Sequence, residues 1–261
     1  MHFFKMCRTE FKRIFNIKVC ITTLLISLCV LFMGVVTFIK ENGNGDEYFY
    51  DIFSRYFLEG TFYQLLFIPV GYYIMYGICT DLKEKMSFFF VTRSNINSYI
   101  SAKFIVGIIY AFTMFEIIFN LFCLVGINVF KIVDYTYYSG GSDLFEDILK
   151  MSPILYFEFR IFIISLFMSL FIGIGMLITT IFLNNYIGAL SAFLAYIIID
   201  KIELILNVNK KFYYENIVSV GVRSNPSVII TFCTTVGFFL VSVLFVYILY
   251  YVFFRRKLSG E

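Results

Sequence analysis

Val19–Ile39 runs without a single charged side chain, and a bilayer core of about 30 Å takes about 20 apolar helical residues to cross. Five further stretches are of comparable length and character: Thr61–Cys79, Phe104–Phe130, Ile161–Leu183, Ile187–Leu206 and Val228–Phe254. Hydrocarbon offers no partner to a bare backbone amide, so each crossing segment has to be a helix. The pattern predicts an all-α polytopic membrane protein with six transmembrane helices in a single domain, 1–261. Its spans are about 19–39, 61–79, 104–130, 161–183, 187–206 and 228–254. Composition agrees: 60% of the residues are hydrophobic and 15% charged, where soluble domains carry about 25% charge.

Two spans need argument. The first follows a basic start, as a secretion signal does, but its apolar core is too long and no small-residue cleavage site follows. It is therefore read as a retained span. In the fifth, the clean apolar run ends at Ile199, and the helix crosses only if "DKIELIL" continues it. Asp200 and Glu203 then share one helical face.

Lys and Arg set the orientation. With a cytoplasmic N-terminus the inner segments are 1–18, 80–103, 184–186 and 255–261, and they carry a basic excess. The longer outer segments 40–60, 131–160 and 207–227 carry an acidic excess. Both termini are therefore expected in the cytoplasm. Tyr, with 20 copies and no Trp in the chain, has to furnish the interfacial aromatic belt. The Phe-, Ile-, Tyr- and Asn-rich usage points to a bacterial cell membrane.

Several chemistries are excluded or left without residues. The six cysteines form no CxxC pair and the sole histidine is His2, which argues against a disulfide framework, a metal site or an intramembrane hydrolase. No glycine is followed by lysine, so the phosphate loop G-x-x-x-x-G-K-[ST] is missing. The chain is expected to be no enzyme and to bind no cofactor. Nothing in it suggests nucleic acid as a partner.

The only sizeable inner loop is "DLKEKMSFFFVTRSNINSYISAKF", Asp81–Phe104. Asp81 has the chemistry of a helix N-cap, with Glu84 three residues on as in a capping box. Leu82, Met86, Phe89 and Phe90 then form one apolar stripe, and "TRSN", containing Arg93, breaks the helix. Two readings stand: a helix lying on the lipid surface, or an aromatic knob offered to a cytoplasmic partner. The N-terminus is similar in character. Phe4, Cys7, Phe11, Ile14 and Phe15 fall on one side, with Lys5, Arg8, Lys12 and Arg13 around the other. That is the pattern of a basic amphipathic helix at the inner leaflet, in contact with membrane lipid.

The layout resembles the type-2 ABC permeases, the membrane subunits of export-type ABC transporters. The residues that carry the resemblance are the acidic helix start, Asp81 and Glu84, followed by "TRSNINSYISAKF". The resemblance implies that 81–92 is the coupling helix that docks on an ATPase subunit, and that 1–18 is the interface helix beside it. It also implies a re-entrant outer region at 207–227, a second permease copy or homologue, and ATP with Mg on the partner subunits. The implied cargo is an antimicrobial peptide such as a lantibiotic, or another amphipathic toxin or drug. The uncharged Asn184-Asn185 turn departs from the family pattern, which often carries a basic residue there. A non-transporting immunity or scaffold protein that binds a toxic peptide is the alternative.

Glu116 is the one ionisable residue near the middle of a span, where a charged carboxyl costs several kcal/mol. It is expected to be protonated or hydrogen-bonded. Thr113 and Asn120 lie three and four residues away on the same face. This stripe reads either as a polar patch in a pathway or dimer seam, or as an inter-helix hydrogen-bond pin. In spans four and five, Gly173, Gly175, Gly188 and Ala192 read as a close-packing edge.

Overall fold

The computed structural model describes residues 2–42, 49, 52–53, 63–83, 96–131, 152–205 and 228–259. Among them are seven long α-helices and no strand: α1 (His2–Ile14), α2 (Ile17–Asn42), α3 (Phe67–Lys83), α4 (Ile96–Val129), α5 (Pro153–Phe182), α6 (Asn185–Ile205) and α7 (Val228–Ser259). A short 3-10 turn, Tyr63–Leu66, leads into α3. Five of these helices are long and apolar enough to cross a bilayer: α2, α3 with its leading turn, α4, α5 and α7. The chain is thus a helical, multi-pass membrane protein. α6 does continue through "DKIELI" to Ile205, but its apolar part, Asn185–Ile198, is shorter than the others.

The ends of α5 explain its length. Ser152 is extended, and its hydroxyl accepts from the Leu155 N–H at 3.4 Å, with Pro153 in the first turn. Proline fits there because its missing N–H is not needed. The helix accordingly starts eight residues before the expected boundary at Ile161, and Glu158 and Arg160 lie inside it rather than in the preceding loop. At the other end Leu183 adopts φ 52, left-handed, and its N–H donates to the Thr179 carbonyl. The Asn184 side-chain oxygen then accepts from the N–H groups of Tyr186 (2.9 Å) and Ile187 (3.2 Å), capping α6. The uncharged "NNY" turn is a capped helical hairpin.

α5 is the hub. It packs against α4, α6, α7 and α3, and 72% of its apolar window is buried, against 28% in α2 and 17% in α7. Helices in lipid gain little from hydrophobic burial against one another, so tight packing and small residues decide their seams. The glycine edge does this between α5 and α6. A side chain at Gly175 would place its Cβ 2.7 Å from the Gly188 carbonyl, and the two backbones touch. Hydroxyls spend themselves locally: Thr22, Thr37, Thr80, Thr113, Thr179 and Thr180 each donate to the carbonyl four residues back.

The helices alternate in direction. One end of the bundle gathers α1, the last turn of α3, the first turns of α4 and the last turns of α7. There Tyr247 meets Ser101 at 2.6 Å and Tyr251 donates to Asn97 at 2.6 Å. At the opposite end the Phe49 N–H donates to the Lys131 carbonyl at 2.8 Å. The Phe49 ring lies flat against Gly126, where no side chain would fit. It belongs to an aromatic cluster with Phe53, Phe122 and Phe157.

Candidate functional site

Four charges meet at the α1 end. Arg13, near the end of α1, donates through Nη1 to both Asp81 oxygens, at 3.0 and 2.9 Å. Its Nη2 is 3.2 Å from Glu10. Lys103, two turns into α4, donates to the same Asp81 carboxylate and to the Tyr99 hydroxyl at 3.1 Å. Tyr99 in turn donates to Asp81 at 2.6 Å. Two acids and two bases cancel, so the cluster is neutral as a unit. That neutrality permits its burial: Asp81 is 5% exposed, Lys103 1% and Glu10 2%.

Helix periodicity builds this arrangement. Tyr99 and Lys103 are one turn apart on α4 and therefore face the same way. Glu10 and Arg13 share a face of α1 for the same reason. Gly77, one turn before Asp81 on α3, leaves the space that the Arg13 guanidinium fills; a Cβ there would fall 2.7 Å from Nη2. Tyr73 donates to the Arg13 carbonyl at 3.3 Å, meeting an orphan acceptor near the end of α1. The network thus ties α1 to the end of α3 and the start of α4, the two helix ends that bracket residues 84–95.

This corrects the reading of Asp81. α3 runs through Lys83, so Asp81 sits in the last turn of that helix and does not open a new one. It is buried in an ion cluster with Arg13 and Lys103. Leu82 packs, half-buried, against the core. Glu84, Met86, Phe89, Phe90 and Arg93, with the remainder of the expected coupling helix, lie outside the described residues, as does 207–227.

The N-terminal helix forms as expected, but its bundle-facing side differs. Met6, Glu10 and Ile14 are buried. Phe15 is half-buried, with its ring edge-on to Tyr110 at 5.1 Å. Phe4, Arg8 and Phe11 remain exposed. The pairing of Glu10 and Arg13 with the cluster turns an acidic residue inward, and it leaves Phe4 and Phe11 exposed. Burial pushes the Cys7 thiol of α1 above its ordinary range.

Toward the opposite end, Glu116 and Asn120 do meet: the Asn120 amide donates to Glu116 Oε2 at 3.3 Å. Thr113 does not join them, its hydroxyl being spent on Ile109. Glu116 and Asn120 line a cavity of about 620 Å³ between α4 and α5, which Glu158 also faces. Arg160 is turned elsewhere, 97% buried, with its Nε donating to the Tyr156 hydroxyl at 3.1 Å and its guanidinium over that ring. Glu10, Glu158 and Arg160 enter the sequence analysis only as segment charge, and Tyr99 and Lys103 only within the "TRSNINSYISAKF" stretch that carries the resemblance. The one-turn spacing of Tyr99 and Lys103 was a usable signal for a shared partner.

The fold and these two sites define a multi-pass helical membrane protein with an ion-paired N-terminal helix. Comparison with family models, with curated proteins and with solved structures finds no match.

Proposed function

We propose that this chain is the permease subunit of an ATP-driven exporter, with six spans and both termini in the cytoplasm of a bacterial cell. It would pair with a second permease and two ATPase subunits to move an amphipathic substrate, an antimicrobial peptide, toxin or drug. ATP and Mg would be bound on the partner subunits. The observation that carries the reading is the charge cluster, which fastens α1 to both helix ends flanking 84–95.

A membrane part that burns no fuel itself has to feel its ATPase through contacts that differ between two states. The segment 84–95 has the aromatic, charged pattern of such a contact. A push delivered there reaches α3 and α4 directly. Through Arg13–Asp81–Lys103 it also reaches α1, whose exposed Phe4 and Phe11 lie against lipid. Three elements then move as one. The sequence resemblance to type-2 ABC permeases supports the same assignment.

The test is purification in mild detergent, with ATP hydrolysis measured across the eluted peak. A nucleotide-hydrolysing polypeptide is expected to co-elute with the wild-type chain and to be lost from Glu84→Lys combined with Phe89→Ala, while membrane insertion is unchanged. An immunity or scaffold protein would elute without hydrolysis. That result, or retention of the ATPase by the double variant, overturns the proposal.

A further inference from the structure

The cavity between α4 and α5 is built unlike the rest of the bundle. Two carboxylates, Glu116 from α4 and Glu158 from α5, face one space of about 620 Å³. Drug-sized ligands occupy cavities of this order, lined by apolar walls with a few convergent polar groups. Leu124, Ile154 and Phe157 supply the apolar wall. Leu124 and Ile154 are also exposed, so the groove reaches the bundle's outer surface. Glu116 lies about 20 Å along α4 from Lys103 at 1.5 Å per residue, well away from the charge cluster.

Among the described residues no Lys or Arg lines the cavity; Arg160 is buried against Tyr156 instead. The Asn120 amide orients Glu116 through Oε2, while Glu116 Oε1 is buried with no hydrogen-bond partner among the described residues. Beside that carboxyl lies Ser165 of α5. It is fully buried, and its hydroxyl is placed to serve the Glu116 carboxyl as a donor. A carboxyl in a bundle is expensive to keep even with such donors beside it, and ionisable groups within a membrane are held inside a bundle mainly where they serve a ligand or ion.

We propose that this groove binds hydrophobic monovalent organic cations, the positive centre resting between Glu116 and Glu158 and the apolar body against Leu124, Ile154 and Phe157. The chemistry fits an ammonium or phosphonium carried on an apolar frame. It fits a small hydrated metal ion poorly, because most of the wall is hydrocarbon. The positive group has two sources, the amine headgroup of a lipid or a free lipophilic cation. As a statement of cargo this rests on the exporter reading; as a binding site it does not.

The test is equilibrium binding of radiolabelled tetraphenylphosphonium to the full chain in dodecyl maltoside, with no ATPase present. Saturable binding is expected, weakened at least tenfold in Glu116→Gln/Glu158→Gln, with the neutral triphenylphosphine oxide failing to compete. On the unaltered protein, competition by phosphatidylethanolamine assigns the site to lipid amines. Its failure, with binding intact, assigns it to free cations. Equal binding by the double variant, equal competition by the neutral compound, or no saturable binding at all overturns the proposal. Since the assay needs no nucleotide, loss of the co-eluting ATPase refutes the exporter reading and leaves the groove standing.

Discussion

Replacing Asp81 by Asn removes the one carboxylate on which Arg13, Tyr99 and Lys103 converge. Lys103 then loses its directly bonded acid and keeps only the field of Glu10, itself paired with Arg13 at 3.2 Å, to offset its buried charge. Breaking a buried ion pair by deleting one partner costs about 3–5 kcal/mol, most of it the stranded charge. For a chain of this size each kcal/mol moves a melting temperature by roughly 2–4 °C, so a fall of roughly 6–20 °C is expected. The readout is thermal unfolding in detergent, followed by loss of the monodisperse elution peak. Arg13→Gln should cost less, about 1 kcal/mol or under, because the Arg13 side chain is 32% exposed and water replaces part of what it loses. The decisive variant is Asp81→Asn with Lys103→Met. It removes both buried charges and leaves Glu10 and Arg13 to neutralise each other, so most of the lost stability should return. If Asp81→Asn melts with the wild type, or if the double variant loses the sum of the two single losses, the cluster is not a buried, mutually compensated unit.

Three other outcomes are expected. Tyr99→Phe removes the 2.6 Å bond to Asp81 and the 3.1 Å bond from Lys103 but leaves the ion pairs in place, and should cost about 1.5–3 kcal/mol, a smaller melting shift than Asp81→Asn. Gly188→Leu has no room beside Thr179 and the Gly175 carbonyl; forcing α5 and α6 apart should abolish the monodisperse peak, whereas Gly237→Leu, with open space around it, should elute as wild type. In a cysteine-free background, Lys12→Cys and Lys257→Cys should react with a membrane-impermeant maleimide only after cells are opened. Labelling of either in intact cells refutes cytoplasmic termini.

Apolar length made the helices legible, because lipid leaves the backbone no alternative. Their ends were less so. α5 begins at Pro153 because Ser152 caps it, a local signal masked by the charges of Glu158 and Arg160, which look like loop residues in a hydropathy reading. The same reading files Lys103 and Asp81 as inner-loop charge. Only the fold reveals that α1 brings Arg13 and Glu10 to meet them, since the pairing of residues so distant in sequence leaves no trace in spacing. Glu116 and Asn120 were legible as neighbours on one helix. Glu158 was not, because its partnership with Glu116 depends on how α4 and α5 lie together.

The backbone contact of Gly175 with Gly188 has a kinematic consequence. Helices that touch main chain to main chain have no side-chain cushion to slide on, so α5 and α6 travel as one solid piece. Whatever rearrangement the protein undergoes has to be taken up elsewhere. A crosslink placed across the seam of α5 and α6 should therefore go unnoticed in whatever the protein does.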